Sequence, residues 1–133
     1  MEHITLIRLK KPRNNEINEE LQWLGASLGL FNLRDKDKSC FRIFIELIKN
    51  ARISDEPMTS DQIAYRLNLT RGTVIHHVNK LMSAGIVERE GNRGYNLRTN
   101  NLNELMDELQ KDMVRTFEGL KKVAVDIDHK LKR

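Results

Sequence analysis

The chain has a single cysteine, Cys40, among its 133 residues. That excludes a disulfide within the chain and any metal site built from several thiolates. It points to a reducing, intracellular setting. No apolar run approaches the ~20 residues that a membrane span requires. Met1 to Lys11 lacks the charged-then-apolar layout of a signal peptide, so a soluble, cytoplasmic protein is the expectation. Aromatic mass is low, with four Phe, two Tyr and one Trp, which leaves little surface for holding single strands by base stacking. No Ser-His-Asp order, glycine-rich phosphate loop or pair of carboxylates in a pocket stands out. An enzyme, a cofactor and a resident metal therefore have no residues to rest on. His76 and His77 are adjacent, so on a helix their side chains diverge by ~100° and do not chelate one ion as an i, i+4 pair could. Asp126 and His129 are too few alone.

What is present is charge, at 32% of residues, with a net excess of +4. The excess is unevenly placed. Residues 1–33 carry four Lys/Arg and four Asp/Glu, and residues 100–133 carry seven of each. Residues 34–99 carry twelve Lys/Arg against eight Asp/Glu, so the whole surplus falls in the middle segment. A positive surplus there suits phosphate neutralisation on nucleic acid.

The chain is organised around Met58 to Arg89. Ile63, Ala64 and Leu67 recur at helical spacing, with Thr59 or Ser60 as N-cap. Asn68 tolerates a left-handed turn, Leu69 is an apolar plug and Thr70 caps a second helix. In that helix Val74, Val78 and Leu81 face inward. Arg71, Gly72, Thr73, Ile75, His76, Asn79 and Lys80 are left outside or on the flanks. Gly85 ends the helix in a left-handed conformation, and an extended run follows from Ile86 to Glu90. Gly91 to Gly94 is turn chemistry, and Tyr95 to Arg98 alternates as a second strand. Pro57, Met58 and Thr59 are placed to add a short third strand. Helix, turn, helix and hairpin together make a winged helix-turn-helix.

The residues Thr73-Val74, His77, Leu81 and Gly85-Ile86-Val87 sit where winged helix-turn-helix regulators of the ArsR/MarR-like type, prokaryotic or archaeal, carry a Thr-Val pair, a histidine, a leucine, a glycine and a hydrophobic pair. The middle half of the chain resembles that family. The resemblance implies a transcriptional regulator that binds double-stranded DNA, and it makes His77 a half-buried structural donor. The metal-sensing members use paired cysteines or clusters of carboxylate and histidine, and the cysteine pair is missing here.

Outside the middle segment, residues 3–9 read as an arm or edge strand, ended by Lys10-Lys11-Pro12-Arg13. Asn14 or Asn15 is positioned to cap a helix whose Ile17, Leu21, Leu24 and Leu28 share a face, with Gly29 as the stop. Trp23 and Phe31 suit core packing better than an effector pocket, since no polar groups converge beside them. Arg34 to Lys38 is a charged linker whose Asp37 is the expected cap of a helix from Ser39 to Asn50. That helix is apolar nearly all round and belongs at the centre, where Cys40 serves as core filler. Beyond the hairpin, Leu102, Met106, Leu109, Met113 and Phe117 continue at steps of three or four. Leu120, Ala124, Ile127 and Leu131 extend the same stripe. A helix of about thirty residues at ~1.5 Å each runs to roughly 45 Å, more than a small domain can cover, so the stripe predicts self-association. The successive steps of four from Leu109 to Phe117 break strict heptad register.

The expected fold is mainly α with a small β-hairpin wing: a winged helix-turn-helix with additional N- and C-terminal helices that form a dimerisation region. The expected division is 1–33 as arm and first helix, 34–99 as DNA-binding domain and 100–133 as dimerisation helix. In a homodimer the two reading helices would meet successive major grooves of an imperfect palindrome. Arg71, Thr73, His76 and Asn79 are the candidates for base edges, and Gly72 permits close backbone approach. Ser60, Thr70 and Lys80 suit phosphates, while Arg89, Asn92 and Arg93 on the wing suit the backbone or the adjacent minor groove. The rival class is a protein-docking winged helix within a nucleic-acid-processing assembly, which an apolar reading face would mark.

Overall fold

A computed structural model describes residues 3–32 and 38–132. An extended arm leads into α1 (Ile17–Ser27), α2 (Ser39–Ile53), α3 (Ser60–Leu67) and α4 (Arg71–Ser83). The strands β1 (Val87–Arg89) and β2 (Tyr95–Leu97) follow, and the chain closes with α5 (Leu102–Leu131). Mainly helical with a two-stranded antiparallel hairpin, this is the winged helix-turn-helix architecture with helices added at both ends.

The helix starts follow hydroxyl chemistry where the sequence offers it. Thr59, rather than Ser60, caps α3 in a capping box: its hydroxyl accepts from the Gln62 N–H at 3.1 Å, and the Gln62 side chain accepts from the Thr59 N–H at 2.9 Å. Thr70 caps α4 by accepting from the Thr73 N–H at 3.1 Å. Asn101 caps α5 through the Glu104 N–H at 2.8 Å. Neither Asn14 nor Asn15 caps α1. Glu16 holds that position without a side-chain bond, while Asn14 accepts from the Glu16 N–H two residues on, a local turn that competes with capping. The proposed cap Asp37 lies outside the described residues; Lys38 occupies the N-cap of α2 with φ of 51°.

The turn between α3 and α4 is made by Asn68, whose φ of 55° lies in the left-handed region that asparagine tolerates at low cost. Gly85, at φ 79°, ends α4 with the Ile86 N–H returning to the Leu81 carbonyl. In the hairpin Val87 pairs with Leu97 and Arg89 with Tyr95, so the strand ends at Arg89 and not at Glu90. Glu90 belongs to the turn, where its N–H donates to the Gly94 carbonyl. The third strand reduces to one bridge: Met58 and Tyr95 exchange backbone bonds of 3.0 and 2.7 Å. Gly94 lies against that bridge at φ 126°, and a Cβ there would stand 2.3 Å from the Met58 carbonyl oxygen.

The core is continuous across these elements. Ile43, Phe44 and Leu47 of α2 pack with Ile63, Val74, Val78 and Leu81 of the reading unit, all fully buried. Phe31, after α1, meets Phe41 edge to face at 5.4 Å between centroids. Cys40 is buried in the same cluster. The arm adds no strand. It lies along the body through two backbone bonds, His3 N–H to Ser83 and Ile7 N–H to Ser27, and Trp23 donates its indole N–H to the Leu9 carbonyl at 3.2 Å.

Of α5, only the first part shares this core: Leu105 and Leu109 are buried, and Leu102 and Met106 pack against the cluster. Phe117 (58% exposed), Leu120, Ile127 and Leu131 (74%) are left exposed. The stripe therefore changes character at the break in heptad register near Met113.

Candidate nucleic-acid interface

The reading helix α4 is held from within by Val74, Val78 and Leu81, which are completely buried. Three inward residues at i, i+4 and i+7 fix which side faces out. Arg71, Gly72, His76, Asn79 and Lys80 are exposed on that side, while Thr73 and Ile75 are half-buried on its edges. Gly72 has nothing within 4 Å of where a Cβ would stand, so the backbone at the start of α4 is open. Thr73 is not free to turn outward as a bare hydroxyl: the Thr70 hydroxyl donates to its Oγ1 at 2.8 Å, beside the cap bond. Thr70 itself is exposed, and Ser60 is half-buried in the first turn of α3. His77 is half-buried, as the resemblance implies, and its ring meets that of His76 edge to face at 5.1 Å. The two imidazoles thus lie closer than divergent helix positions suggest. Among the described residues no group of three His, Cys, Asp or Glu is placed to hold a metal ion.

The wing carries Arg89, Asn92 and Arg93, all exposed. Its tip is braced by the Arg89 Nε–H donating to the Gly91 carbonyl at 3.1 Å and by Asn96 donating to Glu90 at 2.9 Å. Two cations singled out from sequence already have acidic partners. Arg93 pairs with Glu56 at 2.8 Å and Glu90 at 3.5 Å, and the Arg71 Nε lies 3.7 Å from Asp61. These pairs are exposed and hold little energy, but a phosphate or base must displace the carboxylate to use either arginine. Tyr65 of α3 is 89% exposed, with no role assigned to it by periodicity.

One cluster escaped sequence reasoning. Arg98, just past β2, donates to Asp112 of α5 at 2.7 Å and lies 3.5 Å from Glu108, while Arg115 reaches the other Asp112 oxygen at 2.6 Å. Asp112 is 8% exposed and Arg98 19%. The Arg98 hydrogen bond holds the Asp112 carboxyl below its ordinary range, with Arg115 assisting, against a burial that acts the other way. The same bond raises the Arg98 guanidinium further. The pair bolts the end of the wing to α5. Nothing local in the sequence announced it, because its partners lie fourteen residues apart on different elements.

A lowered Asp112 pKa means that its contribution to stability is present above the unfolded carboxylate range and is lost as pH falls through the folded value. Asp112→Asn is expected to cost about 2 kcal/mol at pH 7 and to flatten the fall in stability below about pH 4. Urea denaturation of both proteins from pH 7 to pH 3 checks it; parallel curves would show that the pair does not hold the wing.

With this geometry in view, residues 37–90 match the family model described as a helix-turn-helix domain, which spans α2 through β1 and supports a DNA-binding role for the unit. No curated protein and no solved structure matches the chain. Among the described residues no helix is long and apolar enough to cross a membrane.

Proposed function

We propose that this protein is a sequence-specific, double-stranded-DNA-binding transcriptional regulator, acting in the cytoplasm as a homodimer of the ArsR/MarR-like kind. The observation that carries the reading is the outward face of α4. It is polar and basic, opens on an uncovered glycine, and is set on a helix whose other side is locked in the core. Arg71, His76 and Asn79 would address base edges in the major groove. Lys80 and Thr70 would hold phosphates, and Arg89 and Arg93 would track the backbone or minor groove beside the wing. No catalytic step, cofactor or metal belongs to this reading.

The rival, a protein-docking winged helix, draws on one observation: Arg71 and Arg93 are already paired with carboxylates of their own chain. Binding of the full chain to mixed-sequence duplex across a salt series separates the two. The expected result is affinity that falls steeply with salt, with a slope reduced by about one in Arg93→Ala. Glu56→Gln, which removes the shorter of the two ion pairs of Arg93 and leaves Glu90 at 3.5 Å, is expected to strengthen binding about two- to fivefold, the scale of an exposed ion pair. Salt-insensitive, equally weak binding by all three proteins would favour docking.

A further inference from the structure

The even charge balance of residues 1–33 conceals a separation. All four cations, Arg8, Lys10, Lys11 and Arg13, lie in the arm, whereas the carboxylates are Glu2, Glu16, Glu19 and Glu20, so none falls between His3 and Asn15. The arm lies against the reading helix. The His3 N–H donates to the Ser83 carbonyl at the end of α4, the Ile7 N–H donates to the Ser27 carbonyl, and the Trp23 indole donates to the Leu9 carbonyl. Along this stretch Ile7 and Leu9 line a cleft of about 530 Å³ together with Phe31 and with Lys80 of α4. Thr5 is turned the same way, its methyl 2.6 Å from where a Cβ on Gly29 would stand. Side chains of an extended chain alternate, so Arg8 and Lys10 take the opposite side, and both are exposed. Among the described residues neither they nor Lys80 is ion-paired, in contrast to Arg71 and Arg93. Lys11 differs, because it lines a groove that also holds Glu20.

We infer that Arg8 and Lys10 form a second phosphate-binding element, following the DNA backbone on the flank that Lys80 reaches. This rests on the DNA-binding reading above and adds a contact outside residues 37–90, the matched helix-turn-helix unit. Lys80 stands about 14 Å along α4 from Arg71, so the arm meets the duplex beyond the bases addressed by the first turn. Two residues of extended chain span about 7 Å. A DNA strand carries one phosphate per ~3.4 Å of its axis, so the two cations meet separate phosphates and do not share one. Because the arm is already held by its backbone, little chain freedom is lost when it binds. Its cations also give up no carboxylate to reach a phosphate, as Arg71 and Arg93 must. Phosphate contacts carry no sequence information, so the arm adds affinity and leaves the preferred site unchanged.

The test measures duplex affinity against salt for three forms of the purified protein: wild type, Arg8→Ala/Lys10→Ala, and Lys121→Ala/Lys122→Ala. The last removes the same charge from exposed positions on the far half of α5. The anchors of the arm are backbone groups and the Trp23 indole, so the arm variant keeps them. The arm variant is expected to lose about 1.8 from the slope of log affinity against log salt, ~0.9 for each phosphate released. Its affinity at 0.1 M salt is expected to fall on the order of tenfold or more, equally on matched and scrambled duplex. The α5 variant is expected to keep the wild-type slope. An unchanged slope in the arm variant, while the wild type binds with a steep one, would overturn the arm contact and leave the DNA-binding reading standing. Equal losses in both variants would also overturn it, since net charge alone would then account for the effect. Wild-type protein that shows no salt-dependent duplex binding would instead remove the reading beneath. If it then held to phosphatidylserine vesicles through Arg8 and Lys10, the arm would belong to a lipid surface, and the proposal would fall with that reading.

Discussion

Replacing Arg71 by Ala is expected to weaken binding to the preferred duplex by on the order of 10- to 100-fold, with much less loss on unrelated sequence. The reason is positional. Arg71 is the first residue of α4, on the outward face beside Gly72, and the N-terminal turn of a reading helix enters the major groove first. A guanidinium there can make a paired hydrogen bond to guanine, and loss of such a pair costs ~1–3 kcal/mol of discrimination. Among the described residues Arg71 is ion-paired with Asp61 at 3.7 Å, with both side chains exposed, so the exchange from carboxylate to base costs little. Titration of matched and scrambled duplexes against both proteins measures it. Equal losses on both duplexes would make Arg71 a phosphate contact, and no loss would take α4 out of the groove.

The second large effect is on the fold itself. Phe44 sits in the middle of α2 with no exposed surface, next to Ile43 and Leu47, and its ring lies 6.4 Å from that of Phe31. The helix is covered by the reading unit and by the segment after α1, so its removal leaves a cavity that neither side can fill alone. Phe44→Ala is expected to cost about 3–5 kcal/mol, a large share of the stability of a domain this size. Guanidinium denaturation checks it. A loss below about 1 kcal/mol would mean that α2 is not the centre of the core.

Most of the reading unit was legible because its signals are local. Thr70 announced its cap, Asn68 its left-handed turn and Gly85 its helix stop, and each needs only neighbours within four residues. Leu102 to Leu131 was legible as one helix for the same reason, since no proline and a single glycine, Gly119, stand against the helical pattern. What sequence did not reveal is set across the chain. Leu105 enters the core although the stripe drawn through Leu102, Met106 and Leu109 passes it by, because α5 is covered from a broader side than one seam. Arg98 read as strand, yet its guanidinium is committed to Asp112 of α5. Arg93 read as a free wing cation, and Glu56, thirty-seven residues earlier, holds it. Pairings of this kind depend on how elements pack, and periodicity carries no record of them.

The most direct test of the central claim is selection from a random duplex pool with the purified protein, followed by sequencing of the bound fraction. The expected result is enrichment of an imperfect palindrome whose half-sites are about one helical turn apart, an enrichment abolished by Arg71→Ala. Recovery of a pool with no enriched sequence, under salt conditions where the chain still binds duplex, would contradict a sequence-reading regulator.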